Sequence, residues 1–403
     1  MRIQKNVVAV ATGLMVLATG AVNAGDVVIS SNKLTIKGDL RLRYQNSTGT
    51  NGSPNFITQS NRERERFRLR VGMDYAVDSR LSVKTQFASG TGEQTSTNET
   101  FSFVAKQKAL YIDLAYLVFK PLPKEWVDRL TVYGGRMKNP LWQTYTSDIV
   151  WDSDLNPEGL GQSFKTSLFG QGRVFVNAQQ WVINEKKATA DTVSKAGSRG
   201  QFAFSEQLGV VLPAPMDSRL TLTGALHDWV NETDRAFGVP AAAGTNSRVS
   251  SANNQLTNDF RVLELTGELF ATLPALDLPV SFQGTYIQNT AHRDPATVLN
   301  TVDATKKQDM GYQVGVILGK ASERNTFELA YFNKYAEQDS TVADAADSDF
   351  PGTNRKGHIF WVAYTPWKNQ QFKVKYFDTA IIKNTSTAKN DNTTLQLDWQ
   401  VKF

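Results

Sequence analysis

The sequence predicts an all-β fold, a transmembrane antiparallel up-and-down β-barrel of about 16 strands with long extracellular loops and short periplasmic turns. Three observations predict it. Apolar and polar residues alternate with a period of two along most of the chain. Short and long connections between these stretches also alternate. A short apolar leader stands at the front.

The leader comes first. Arg2 and Lys5 precede the run NVVAVATGLMVLATGAV, and Val22-Asn23-Ala24 ends it on a small residue. Residues 1–24 are therefore expected to be a cleaved secretory signal peptide, and 25–403 a single barrel domain. The run is too short, and lacks the stop-transfer flank, for a membrane anchor. The chain has 44 basic and 39 acidic residues, and the leader carries two of the basic ones and no acid. The mature part is then close to charge balance, which argues against a nucleic-acid partner. With no cysteine, an exported chain has no disulfide to hold it. After Ala24 no apolar run reaches the roughly 18 residues of a membrane helix.

The strands follow in order. LTIKGDLRLRYQ (34–45) puts Leu34, Ile36, Leu40, Leu42 and Tyr44 on one face, with Lys37, Asp39, Arg41 and Arg43 on the other. RERERFRLRVGMDYAV (62–77) sets Phe67, Leu69, Val71, Met73 and Tyr75 against Arg64, Arg66, Arg68 and Arg70. RLSVKTQFAS, KALYIDLAYLVFK, RLTVYGG, GRVFVNAQQWVIN, QFAFSEQLGVVL, RLTLTGALHDWVN and FRVLELTGELFATL repeat the pattern. PVSFQGTYIQN, MGYQVGVILGK, NTFELAYFNKYA, HIFWVAYT, QFKVKYFDTAII and TTLQLDWQVKF complete it, and EGLGQSFKTSL is the faintest member.

Between them lie the short turns VDSR, PLPKEWVD, FGQG, PAPMDS, PALDL, ASER and PWKNQ. The long loops cover roughly 46–61, 89–107, 139–158, 185–199, 231–258, 290–306, 337–356 and 382–392. Strict alternation of tight turns and long polar loops fits a barrel better than a sandwich or propeller. The chain stops on an alternating strand with a terminal aromatic, Phe403. Tyr75, Phe119, Trp126, Trp142, Trp367 and Trp399 crowd the strand ends, as interfacial girdles would.

A charge on the lipid face costs about 2–4 kcal/mol at the bilayer midplane, so the arginines of one strand must all face the lumen. The expected basic wall is Arg41, Arg43, Arg64, Arg66, Arg68, Arg70 and Lys84. Such a cluster needs water, counter-ions or facing acids. The third long loop (about 139–158) offers Asp148, Asp152, Asp154 and Glu158, and is expected to fold into the lumen opposite that wall. Its segment DSDLNPEG has calcium-loop spacing at Asp152, Asp154 and Asn156. Pro157 replaces the glycine and Ser163 the bidentate glutamate, so no metal is assigned. In RLTVYGGRMKN, an unbroken strand would turn Arg136 and Lys138 to lipid. A bulge at Gly134-Gly135 would return them to the lumen, unless they sit beyond the membrane.

At GGRMKNPLW, DIVWDSDLNPEGL, GDLRLRYQ and RERERFRLRVG the chain resembles the putative porin family of Gram-negative bacteria. The resemblance covers most of residues 34–403 and implies a pore, without implying a solute. Because general porins fold their third external loop inward, it also implies that role for 139–158. The chain is more distantly similar to alginate-export barrels, which are arginine-rich inside and have about 18 strands, the alternative strand count here. The final strand ending at Phe403 is similar to the segment that outer-membrane proteins present to the barrel-assembly machinery.

Catalysis would need a nucleophile–base constellation. His227, His292 and His358 are the only histidines, His227 and Asp228 point to opposite faces of one strand, and no G-x-S-x-G occurs. The expectation is a passive outer-membrane diffusion channel for small hydrophilic solutes, with weak to moderate anion preference and no cofactor. It would sit among lipid and lipopolysaccharide, with a homotrimer open to it. The alternatives are an export or uptake channel for an anionic saccharide, or a plugged structural or adhesive barrel.

Overall fold

The computed structural model describes residues 33–49, 61–102, 104–127, 129–144, 147–168, 171–185, 200–215, 218–233, 245–250, 253–273, 276–298, 301, 303–383 and 391–403. The expected signal peptide, 1–24, lies outside them.

Sixteen of the described strands form one closed antiparallel barrel. Its first half comprises β1 (Leu34–Gly49), β2 (Arg62–Ala76), β3 (Leu81–Ser89), β5 (Leu110–Phe119), β6 (Leu130–Arg136), β7 (Glu158–Ser167), β8 (Arg173–Asn184) and β9 (Gln201–Ala214). The second comprises β10 (Ser218–Val230), β13 (Arg261–Leu273), β14 (Leu278–Asn289), β15 (Met310–Gly319), β16 (Thr326–Ala336), β17 (Arg355–Trp367), β18 (Gln370–Ile381) and β19 (Asp391–Lys402). Each wall strand pairs with the next, and β1 closes on β19 from Asp39↔Lys402 to Gly49↔Asn392. Three short strands belong to loops: β4 (Glu99–Thr100), β11 (Arg248–Ser250) and β12 (Asn253–Leu256). The faintest expected strand, EGLGQSFKTSL, is β7.

The two faces invert the pattern of a soluble protein. On β9, Gln207 is 2 % exposed while its neighbour Leu208 is 60 % exposed. On β17, Phe360, Val362 and Tyr364 are exposed while Thr365 is buried. Strand alternation thus gives a greasy outer skin and a polar inner one. Soluble proteins rarely expose so continuous an apolar belt, and here it marks the lipid face.

The closing seam has its own fit. Gly38 and Phe403 exchange both main-chain hydrogen bonds, at 2.7 and 3.0 Å. A side chain at position 38 would strike the Phe403 ring, so the glycine provides the space that ring fills.

Two expectations need correction. Pairing across β5, β6 and β7 keeps its register, so Gly134-Gly135 forms no bulge. Gly135 instead takes a positive φ of 122° opposite Gly159 at 156°, where added side chains would meet the carbonyls of Ala115 and Gln180. Arg136 therefore keeps the outer parity at the long-loop end of β6, where it meets Glu158 at 2.7 Å. Lys138 lies beyond the strand, within electrostatic range of Asp113, Asp154, Arg70 and Arg68, and burial lowers its pKa. Tyr75, Phe119, Trp126, Trp367 and Trp399 are exposed on the outer surface, but Trp142 is not among them. Its main-chain N–H donates to the inward Gln207 at 2.7 Å, and its ring lies 6.5 Å from Phe175.

Candidate functional site: the arginine wall and two inward loops

Register builds the wall. The β1–β2 ladder sets Arg43 opposite Arg66, Arg41 opposite Arg68 and Gln45 opposite Arg64, all on the inner face, while Asp39 faces Arg70. Directly opposed guanidiniums repel, so the strands beside them supply carboxylates. Asp398 on β19 stands opposite Arg43 and accepts from it twice, at 2.7 and 2.8 Å, a bidentate geometry. Asp39 accepts from Arg68 at 2.8 Å and from Arg70 at 2.8 Å. Lys84 belongs to a separate group toward the short-turn end, where Asp74 lies 3.5 Å from it and 2.9 Å from Lys37.

Compensation is incomplete. Arg41 donates to the neutral Asn98 at 2.6 Å, and its nearest carboxylate, Asp398, is 3.9 Å away. Arg66 reaches Asn98 O, Ser96 and Gln45 at 3.4, 3.5 and 3.5 Å, all neutral acceptors. The Nε atoms of both arginines are buried and have no hydrogen-bond partner. Buried charge of this kind calls for mobile counter-ions or water.

The third long loop (137–157) packs on residues whose parity places them on the inner wall. Trp151, 2 % exposed, stacks on Trp229 of β10 with ring centres 5.1 Å apart and meets Trp181 of β8 edge-on at 5.6 Å. Ile149, Val150 and Leu155 join Val262 and Ile287 in the same apolar cluster. The Trp151 indole N–H donates to His227 Nδ1 at 3.3 Å, so the histidine proton sits on Nε2 and is donated to Glu264 at 3.0 Å. Ser205 also touches His227 Nδ1, at 2.9 Å. These groups lie beneath the tryptophan and fasten the loop. The link was hidden in the sequence because it crosses three strands.

The acids of this loop do not sit as expected. Among the described residues none of Asp148, Asp152, Asp154 and Glu158 forms an ion pair with a wall arginine. Glu158 opens β7 and pairs with Arg136. Asp152 accepts from the backbone N–H groups of Asp154 at 2.8 Å and Ser348 at 3.0 Å. Asn156 donates to Asp113 at 2.6 Å, so the calcium-type spacing is turned to protein partners. Asp154 acts on Arg41, Arg43 and Arg68 through the field alone. Burial, reinforced by Asp347, pushes Asp148 up to about 7, and burial with Asp154 and Asp148 pushes Asp152 well above the ordinary carboxylate range.

The loop that brings a carboxylate into ion-pair reach of the arginines is the seventh (337–354), which the sequence presented as an ordinary solvated connection. Its Phe350 is fully buried among Phe332, Ile359, Trp361 and Phe377, all inner-face residues of β16 to β18. Lys334 binds Asp347 at 3.2 Å and lies 4.7 Å over the Phe350 ring. Asp349 then reaches Arg43 at 3.6 Å. Burial alone would raise its pKa, but Arg43, Lys375, Arg41 and Arg66 hold the carboxyl well below its usual range. The two loops also meet directly, with Asp152 N–H donating to Ala345 O at 2.7 Å and Asp347 N–H to Asp148 O at 3.0 Å. Only the lone Phe350 in a run of small polar residues hinted at this.

The sequence profile described as "Putative porin" matches residues 23–251 and 240–403. No curated protein sequence matches the chain. Among solved structures, the high-pH form of Pseudomonas putida OprB aligns at TM-score 0.52 and 11 % identity, over 92 % of this chain and 94 % of that one. The outer-membrane channel DcaP of Acinetobacter baumannii aligns at 0.47 and 12 % identity, over 93 % and 99 %. Salmonella typhi OmpF in complex with daunomycin aligns at 0.47 and 10 %, over 91 % and 97 %.

Proposed function

Because the chain belongs to the putative porin family, and is a porin-like outer-membrane channel on that ground, we propose that it is a passive diffusion channel for small hydrophilic solutes with weak to moderate anion preference. The observation that carries the preference is the charge excess of the wall. Among the described residues, Arg41, Arg43, Arg64, Arg66, Arg68 and Arg70 have only Asp39, Asp398 and Asp349 within ion-pair reach. A low-dielectric wall focuses this positive field into the lumen, raising local anion concentration and lowering the entry barrier for anions.

The third loop, fastened by Trp151, narrows the lumen from the opposite side, and Asp154 gives the opening a transverse polarity. The interlocking of the third and seventh loops supports a second reading, a lumen plugged at rest. The outer belt would contact lipid and lipopolysaccharide, the Phe403 strand the assembly machinery, and a homotrimer suits the same surface. Planar-bilayer recordings in a salt gradient test the proposal. Wild-type channels are expected to show an anion-selective reversal potential, which R66E with R68E reverses or strongly reduces. A reversal potential unchanged by those substitutions rules out the wall assignment, and absence of conductance favours the plug.

A further inference from the structure

Asp349 is held in place from both sides. Phe350 is seated in the apolar cluster of β16 to β18, and Asp347 is tied to Lys334. Gln396 Nε2 on β19 donates to Asp349 Oδ1 at 3.0 Å, leaving Oδ2 directed at Arg43, 3.6 Å from Nη1. Arg41, Arg64, Arg66 and Lys375 also lie within its electrostatic reach. One third of the Asp349 side chain still reaches lumenal solvent. Beside it, Arg41 and Arg66 keep buried Nε groups without partners, and the closest contacts of Arg66 are neutral.

The geometry points to an oxyanion-binding station formed by Arg41, Arg43, Arg64 and Arg66, which takes a carboxylate or phosphate and is kept partly filled by the Asp349 carboxylate acting as a tethered competitor. This rests on the diffusion-channel reading and adds to it a ligand class and the residue that sets selectivity. Guanidinium forks match two-oxygen anions in shape and charge better than they match chloride. A permeating oxyanion meets these forks only as far as it displaces or passes Asp349. Removing that negative charge leaves the guanidiniums uncompensated, so anions enter more readily and oxyanions dwell longer.

The chain has no cysteine, so Asp349→Cys places a single thiol in the lumen. The full-length protein is recorded in planar bilayers, reading reversal potential in a potassium chloride gradient and block of the chloride current by inorganic phosphate. Insertion as a conducting channel selects folded molecules. Asp349→Asn and unmodified Asp349→Cys are expected to raise the chloride-to-potassium permeability ratio about threefold and to lower the half-blocking phosphate concentration about fivefold. Coupling a sulfonatoethyl group to the thiol returns both toward wild type within the same channels, and an aminoethyl group moves both further away. A reversal potential or phosphate block indifferent to the charge at 349 in an anion-selective channel overturns the station alone. No conductance, or cation selectivity in the wild type, overturns the diffusion-channel reading beneath it.

Discussion

The third and seventh loops use the same device to opposite electrostatic ends. Each drives one aromatic into an apolar pocket on the inner wall, Trp151 against Trp181 and Trp229, Phe350 against Phe332 and Phe377. Each then carries aspartates inward. In the third loop those carboxyls meet backbone amides and other carboxyls, and burial pushes Asp148 and Asp152 toward the neutral form. In the seventh, Asp349 meets guanidiniums that outweigh its burial and keep it ionised. Position inside the barrel, not residue type, decides which acid contributes charge to the lumen.

The most severe way to break the comparison is to remove one partner. Deleting Ser147 to Asn156 is expected to raise single-channel conductance about twofold or more, since a constricting loop sets the narrowest cross-section. Unaltered conductance would mean that the loop does not limit the pore. Next come the two anchors. Trp151→Ala and Phe350→Ala each remove about 3–5 kcal/mol of buried contact, so each should expose its own loop to limited proteolysis while the barrel itself stays folded. Cleavage in both loops from either change would show that they are one unit.

A pH titration sharpens the contrast between the acids. The Asp148 pKa is raised on folding, so the folded chain holds that proton longer than the unfolded one. Its stabilising contribution is therefore full below the ordinary carboxylate range and declines as pH rises toward about 7. Above that point a new negative charge beside Asp347 should loosen the loop contact and reduce anion preference, and Asp148→Asn should abolish the step. Asp349 has the opposite sign. Its contribution is present above the ordinary carboxylate range and is lost only under strongly acidic conditions. The smallest effect belongs to Asp154→Asn, which touches no arginine and should shift the reversal potential by less than about half the Asp349→Asn shift.

Much of this architecture was legible in the sequence. Period-two alternation gave all sixteen wall strands, even the faint β7, because lipid outside and water inside enforce the pattern on every strand. The arginine face of β2 was legible for the same reason. Asp39 was already visible on the inner face of LTIKGDLRLR, but its bonds to Arg68 and Arg70 depend on the β1–β2 register, which alternation leaves free. The seventh loop was illegible because TVADAADSDF has the small polar composition of a solvated loop. Its burial arises from Phe350 packing on side chains of β16 to β18 and from bonds to the second, third and fifth long loops, which composition does not report. Trp142 misled for a related reason, since an aromatic at a strand end looks the same whether it turns to lipid or onto Gln207.

The seam between β1 and β19 carries a consequence for assembly. Arg43 and Asp398 are 355 positions apart, and their two hydrogen bonds form only when the ends of the ribbon meet. Until that moment an open sheet exposes Arg41 and Arg43 along one lip and Asp398 along the other. Attraction between Arg43 and Asp398 would favour closure in this register. A slip of two residues would set Lys402 opposite Arg41 or Lys37, and one of a single residue would turn inner-face side chains against outer-face ones. The pair so placed would disfavour closure in any other register.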